Sequence, residues 1–195
     1  MSRVADISRT TSETQVQLRL ELDGTGQGTR ETGIGFFDHL LDALARHGKL
    51  DLDVHVDGDL ETGPHHTVED TGLALGQALD QALGDRGGIR RFGEATVPMD
   101  EALAVCAIDI SGRPYVAFEA DLPLVTIGGF DSDLTEEFLR ALANTAKLTL
   151  HLRVERGTNP HHMVEASFKA LARALRMAVE IDPAESGVPS TKGLL

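Results

Sequence analysis

The sequence has few aromatic residues and a single cysteine. Of its 195 residues only 4% are aromatic, and tryptophan is absent. The core must therefore be built mainly from Leu, Val, Ile and Ala, which a hydrophobic content of 41% can supply. Cys106 has no partner for an internal disulfide. Its place in the apolar run ALAVCAIDI favours a buried filling residue over a nucleophile.

Long apolar segments and an excess of positive charge are also missing. No segment is long and apolar enough to span a bilayer, and the start, MSRVADISRTTSETQ, lacks the apolar stretch of a signal peptide. A cytoplasmic location is expected. The formal net charge of −13 argues against nucleic acid or an anionic membrane as the main partner. This charge is compatible with cation binding and equally with an acidic surface that only contacts solvent.

The chain contains an internal repeat. A shift of 96 residues places HHTVE (65–69) on HHMVE (161–165), and upstream a shift of 98 places HLLDALA (39–45) on EFLRALA (137–143). A loop two residues shorter in the second half accounts for the difference between the two shifts. The two halves are therefore expected to have the same fold.

Each half is predicted to open with two or three strands, clearest in QVQLRLEL for the first half and in FGEATVPM, ALAVCAIDI and PYVAFEA for the second. The elements that follow are a short helix (36–47, 132–145), an alternating strand (49–57, 147–155) and a longer helix (65–83, 161–180). This order predicts an α+β fold of two β-β-α-β-α-like halves, residues 1–86 and 87–195, joined near GDRGG (84–88) in one compact domain.

The repeated HHxxE motif is typical of a metal site. On a helix the glutamate shares a face with the histidines three and four residues before it, and imidazole with carboxylate suits Mn, Fe or Zn. Adjacent helical residues point about 100° apart, so one ion cannot easily bind both histidines of a pair. Each pair is expected to serve two ions, with further ligands from another element or subunit. His39 and Glu137, which coincide under the 98-residue shift, are candidates.

A structural interpretation of the same motif is also open. His and Glu at the start of a helix can act as caps or solvated side chains, and a duplication copies inert residues as well as functional ones. His55 and His151 lie at polar positions of alternating strands and are interpreted as surface residues. His47 ends the short helix, where a capping role and a substrate contact are both open.

Three segments place Arg or Lys beside glycine or hydroxyl residues: RGGIRRFG (86–93), SGRPY (111–115) and PSTKG (189–193). Arginine side chains and exposed backbone N–H groups bind phosphate well, although ordinary turns have the same composition. Lys169 lies four residues after Glu165 on the same helical face, where an ion pair is the simplest interpretation.

Together these segments resemble the imidazoleglycerol-phosphate dehydratase family of histidine biosynthesis. The matching segments occur in family order over nearly the whole chain: RTTSET (9–14), FFDHLLDALARHG (36–48), HHTVEDTGLALG (65–76), GIRRFG (88–93), PMDEAL (98–103), DISGRPY (109–115), HHMVEASFKALARALR (161–176) and PSTKG (189–193).

The resemblance implies a duplicated α+β unit with two four-stranded sheets packed on helices, similar to domain 2 of ribosomal protein S5. It also implies an assembly of 24 subunits built from trimers, with two Mn²⁺ ions per active site at subunit interfaces. The implied metal ligands are His39, His65, His66, Glu69, His161, His162 and Glu165. The eighth family ligand, a histidine, is replaced here by Glu137, and Glu136 is the weaker candidate for that position.

The family's substrate contacts correspond to Glu13, Arg91, Arg113, Lys169, Ser190 and Lys192, of which Arg91, Arg113, Ser190 and Lys192 are expected to hold the phosphate. The implied reaction removes water from D-erythro-imidazole-glycerol phosphate and gives imidazole-acetol phosphate. The carbon that loses its proton has no neighbouring carbonyl, so the imidazole ring must accept the electrons. A ring bound as an imidazolate between two metals could expel the hydroxyl through a diazafulvene-like intermediate. Glu13 is the candidate for proton transfer, and Lys169 or a metal-bound water for hydroxyl departure.

Two other functions are also compatible with the sequence. A cage-like metal store would use the doubled motif only to bind ions and join subunits, but it leaves the three basic segments unexplained. A di-metal phosphatase or oxidase would be expected to use carboxylate-rich, closely bridged ions. Ligand affinity that depends on the phosphate group would argue against the first alternative, and release of inorganic phosphate would identify the second.

Overall fold

The computed structural model describes residues 3–195. In the first half the elements are β1 (Val4–Thr10), β2 (Thr14–Glu21), β3 (Arg30–Glu31), α1 (Gly35–Gly48), β4 (Asp51–Gly58) and α2 (His65–Leu83). In the second half they are β5 (Phe92–Met99), β6 (Ala102–Asp109), β7 (Tyr115–Glu119), β8 (Thr126–Ile127), β9 (Phe130–Asp131), α3 (Leu134–Ala146), β10 (Thr149–Arg156) and α4 (Pro160–Val179).

The two halves form equivalent four-stranded sheets. The strand orders are β1-β2-β4-β3 and β5-β6-β10-β7, and in each sheet the last two strands are parallel while the other pairs are antiparallel. The predicted α+β fold with two four-stranded sheets is confirmed. The helix bounds differ from those predicted by at most two residues, and α2 begins and ends where the pattern placed it. The sequence pattern predicted no bounds for strand β1, which pairs with β2 along its full length.

The sheets bury one face because their sequences alternate. In β2, Val16, Leu18 and Leu20 are buried while Gln17 and Arg19 between them are exposed. Buried apolar residues from both halves belong to one continuous core, and buried Cys106 is among them. Burial raises the pKa of the Cys106 thiol, as expected of a filling residue and not of a nucleophile.

The helices pack across the boundary between the halves. Helix α2 covers its own sheet and α4 covers the second sheet, while α3 packs against α2 and α1 packs against α4. Small residues permit the α2–α3 approach: a Cβ atom at Gly76 would lie 2.1 Å from Thr145 Oγ1. Each short helix therefore brings its side chains to the long helix of the other half, which decides where the candidate ligands meet.

The join lies between α2 and β5. Arg86 is buried there with a positive φ of 61°, and its guanidinium pairs with Asp80. No helix within residues 3–195 combines the length and the apolar character that crossing a membrane demands.

Candidate metal centre and substrate cleft

The paired histidines of the two motifs have the same geometry. The His65 and His66 ring centroids are 5.9 Å apart at an interplanar angle of 89°, and His161 and His162 have identical values. Each pair lies in the first turn of its helix, where successive side chains diverge. The two histidines of each pair therefore point in different directions. This agrees with the prediction that each pair serves two separate ions.

One compact group of potential ligands is present. Among residues 3–195, His39, His161 and Glu165 are the one set of three or more His, Cys, Asp or Glu residues whose ligand atoms all lie within 4.8 Å of one another. The Nε2 atoms of both histidines are 3.0 Å from Glu165 Oε2. His39 comes from α1 and the other two from α4, so the cross-packing of the halves builds this group. Two imidazoles and one carboxylate directed at one point form a donor set suitable for a divalent transition metal.

Glu165 is buried, but it is not isolated. Its Oε1 atom accepts a bond from Lys169 Nζ at 2.7 Å, so the ion pair considered for these residues is present. Burial acts to raise the pKa of Glu165, but the Lys169 hydrogen bond and the contact with His39 outweigh it and lower the pKa to about 2. Glu165 is therefore an anion at neutral pH, as a metal ligand must be.

Two of the three equivalent residues of the other helix pair, Glu69 and Glu137, line one cleft. His65 Nε2 lies 3.8 Å from Glu69 Oε2, and Glu69 and Glu137 both line a cleft of about 450 Å³ between α2 and α3. Glu137 is the counterpart of His39 in the repeat, but within residues 3–195 it does not close into a compact group with His65 and Glu69. Glu136 instead binds Arg140 through both guanidinium Nε and Nη2. The geometry favours Glu137 over Glu136 as a ligand candidate.

His66 and His162 lie outside the compact group, and each is held by a carboxylate. His66 Nδ1 is 3.0 Å from Asp59 Oδ2, and His162 Nδ1 is 2.7 Å from Glu101 Oε2. These hydrogen bonds raise the pKa of both imidazoles. Neither carboxylate was predicted from the sequence. Asp59 lies seven residues before His66 and Glu155 lies seven before His162, but Glu155 pairs with Arg153 and Glu101 binds His162 instead.

Glu13 lies in the turn between β1 and β2, close to His66. Its Oε1 atom is 3.8 Å from His66 Nε2, and half of its side chain is exposed. The turn is held by the Thr11 hydroxyl, which accepts the Glu13 N–H at 3.1 Å, and by the Asp59 N–H, which donates to the Glu13 carbonyl at 3.1 Å. A carboxylate that is fixed at its backbone and open to solvent can transfer a proton to or from a bound molecule.

The three basic segments meet in one cleft of about 470 Å³. Its lining includes the four residues predicted to hold phosphate: Arg91, Arg113, Ser190 and Lys192. Arg91 bonds Asp109 through two nitrogens at 2.7 and 3.1 Å and donates to the Pro189 carbonyl at 2.9 Å. The last segment is thus attached to the body of the fold, and its side chains lie beside the arginines.

The remaining histidines are not gathered into these groups. His55 and His151 are exposed, which confirms their interpretation as surface residues. His47 lies in the last turn of α1, where burial first, and then the positive charges of Lys169 and Arg173, lower its pKa. A neutral His47 beside two cations can accept a hydrogen bond, so a substrate contact remains open for it.

We expect the metal-free protein to lose stability as pH falls from 4.5 to about 2, the interval between the ordinary and folded pKa values of Glu165. Because the folded pKa is depressed, this contribution is complete above the interval and disappears below it. Thermal unfolding across this range measures the loss. Glu165→Gln, which cannot titrate, should lack this component, and an identical pH dependence in both proteins would contradict the expectation.

Comparison with known proteins gives these groups a context. The family model described as imidazoleglycerol-phosphate dehydratase matches residues 32–175. The chain belongs to this family. The dehydratases of Gluconacetobacter diazotrophicus and Moorella thermoacetica are 60% and 57% identical to it over 195 residues, which is the whole of this chain and 98% and 100% of theirs. The chain is therefore a hydro-lyase of histidine biosynthesis.

Solved dehydratase structures have the same fold. That from Staphylococcus aureus superposes with a TM-score of 0.83 at 38% identity, covering 92% of this chain and 99% of the other. That from Pyrococcus furiosus, in complex with (S)-C348, gives 0.84 at 36% identity, covering 97% and 100%. In this dehydratase the metal-ligand candidates and the basic cleft thus lie on a scaffold already known to carry the dehydration reaction.

Proposed function

We propose that this dehydratase converts D-erythro-imidazole-glycerol phosphate to imidazole-acetol phosphate at a centre of two Mn²⁺ ions. The observation that carries the proposal is the group of His39, His161 and Glu165, whose ligand atoms all lie within 4.8 Å of one another. Its donors fit a divalent ion: two partly exposed imidazoles whose Nε2 atoms lie beside one carboxylate that is ionised at neutral pH.

The internal repeat suggests how eight ligands divide between two ions. His39, His161 and Glu165 would hold the first ion, and their counterparts Glu137, His65 and Glu69 would hold the second. The pseudo-symmetry that exchanges the two ions also exchanges His66 and His162, so each ion receives one of these outer histidines. When bound, two ions would favour loss of the ring proton, so that the substrate imidazole could release electrons to expel the hydroxyl and accept electrons when the neighbouring proton is removed.

The outer histidines support an active site shared between subunits. Neither His66 nor His162 belongs to the compact ligand group within residues 3–195, although both are partly exposed. Another subunit can present its own three-ligand group to them. We therefore propose a homo-oligomer, in the 24-subunit form built from trimers that the family resemblance implies, with each centre completed at an interface.

Glu13 and Lys169 are the proposed proton-transfer residues. Glu13 removes the proton from the carbon skeleton, as its open carboxylate beside His66 allows. Lys169, whose ammonium lies 2.7 Å from Glu165, protonates the departing hydroxyl. Electrons from the imidazole ring expel this hydroxyl and leave a diazafulvene-like ring, and loss of the neighbouring proton then forms an enol that becomes the ketone.

The basic cleft provides the phosphate grip. Arg113 and Lys192 supply charge, and Ser190 supplies a hydroxyl. Arg91 is already paired with Asp109, so its guanidinium is oriented before substrate arrives. Binding at a group remote from the reacting carbons holds the imidazole in place at the ions.

The test is turnover of imidazole-glycerol phosphate by protein that has been stripped by chelation and reloaded with Mn²⁺, with the metal counted per subunit. We expect activity to return at about two ions per subunit, the number that follows from two ligand groups. If two ions bind but no dehydration occurs, the proposed metal centre stands and the proposed substrate is wrong. Release of inorganic phosphate in place of the ketone would identify a phosphatase, and binding of one ion with weak activity would remove Glu137 from the ligand set.

A further inference from the structure

The outer histidine of each motif has a single tautomer imposed on it. His66 and His162 each present Nδ1 to a carboxylate oxygen, at 3.0 Å from Asp59 Oδ2 and 2.7 Å from Glu101 Oε2. A deprotonated carboxylate only accepts hydrogen bonds, so the imidazole must donate its Nδ1–H. The lone pair of each ring is then on Nε2, the atom directed away from the carboxylate.

We propose that Asp59 and Glu101 are positioning residues of the metal centre, each of which holds one outer histidine in the tautomer and direction that binds an ion. The inference rests on the proposed function, because it assigns Nε2 of both histidines to the ions. Carboxylates that accept the second N–H of a ligating histidine raise its basicity as a ligand and restrict its rotation.

Both carboxylates are themselves fixed. Glu101 Oε1 accepts the backbone N–H groups of Thr158 at 3.0 Å and Asn159 at 2.7 Å, so one oxygen is bound to the loop before α4 while the other holds His162. Asp59 Oδ2 accepts the Thr62 hydroxyl at 2.9 Å. These residues are therefore built into the loops around the motifs.

Duplication alone does not explain the two carboxylates, because they come from different segments. Asp59 follows β4, whereas Glu101 lies in the turn between β5 and β6. Directly after β10, where the first half has Asp59 after β4, the second half has Gly157, and a Cβ atom there would lie 2.3 Å from Met163 Cγ. Glu155, which lies seven residues before His162 as Asp59 does before His66, pairs instead with Arg153. In the second half, the carboxylate that holds the outer histidine comes from the β5–β6 hairpin. Its different origin indicates a functional need and not a copied residue.

Glu101→Gln is the sharper variant. The two backbone N–H groups retain the amide oxygen at the Oε1 position, so the amide N–H₂ faces His162 and favours the tautomer with its proton on Nε2. The expected result is one tight and one weakened Mn²⁺ site, with affinity at the weakened site reduced about 10- to 100-fold. Asp59→Asn should weaken the other site, and the double variant should weaken both.

Chelator-competition titration with Mn²⁺ on the assembled protein measures these affinities, and thermal unfolding of the metal-free forms accompanies it. Glu94→Gln, an exposed glutamate on β5 of the same hairpin, is the matched control and should retain two tight sites. A role in folding alone would lower the unfolding temperature and leave both affinities unchanged, which overturns the proposal. Wild-type protein that binds fewer than two ions overturns the proposed cofactor and this inference together. Two tight sites in every variant overturn this inference alone.

Discussion

Replacing Glu13 with glutamine is expected to lower kcat by about 10²- to 10⁴-fold while both Mn²⁺ ions and the assembly are retained. Glutamine keeps the size and the hydrogen-bonding capacity of the side chain but cannot accept a proton. The backbone of Glu13 is held by Thr11 and Asp59, so the turn itself should be unchanged. Steady-state kinetics with imidazole-glycerol phosphate, together with metal analysis and size-exclusion chromatography, measure the effect.

The matched control for this variant is Glu21→Gln. Glu21 ends the same strand that follows the Glu13 turn, roughly 25 Å away along an extended chain, and should show wild-type kinetics. If Glu13 instead only holds a substrate hydroxyl, Glu13→Gln should raise KM and largely preserve kcat. Near-wild-type values of both constants would remove Glu13 from the chemistry.

Replacing Glu137 with alanine is expected to reduce bound Mn²⁺ from two ions to one per subunit and to abolish most turnover, since the proposed mechanism needs both ions to activate the substrate imidazole. Glu137 lines the cleft with Glu69, where it is the counterpart of His39. Metal analysis after dialysis and kcat measured at saturating substrate provide the test.

Glu136→Ala supplies the neighbouring control. Glu136 precedes Glu137 on α3, but its carboxylate is occupied by Arg140, so this variant should keep two ions and normal turnover. Glu137→His, which restores the family's residue, should retain two ions and activity. The reverse pattern, with loss of an ion in Glu136→Ala alone, would move the eighth ligand by one position.

Much of the candidate site was accessible from the pattern of residues. Two HHxxE motifs at the start of helices predict diverging histidine pairs, and the rings indeed lie at 89° in both. The basic segments at 86–93, 111–115 and 189–193 predict a phosphate site, and their residues line one cleft. Each of these predictions depends on local geometry or on charge, which the sequence specifies directly.

The carboxylates that hold the outer histidines, Asp59 and Glu101, could not be predicted from the sequence in the same way. Glu101 is 61 residues before His162, and the hydrogen bond between them depends on where the β5–β6 turn meets the loop before α4. The repeat does not help, because the residue directly after β10 is a glycine packed against Met163, and Glu155, seven residues before His162, pairs with Arg153. A partner recruited from a distant loop leaves no periodic signal in the chain.

The sequence by itself determined the duplicated α+β architecture, the two diverging histidine pairs and the acidic character of the surface, because alternation, helical spacing and charge are local properties. Only the tertiary structure decided which ligands meet. Helix α1 packs on α4 and α3 on α2, so His39 joins His161 and Glu165 from the other half instead of the motif nearest to it in sequence. That pairing follows from which apolar faces the four helices bury against one another, including the close approach at Gly76, and such packing depends on the whole chain.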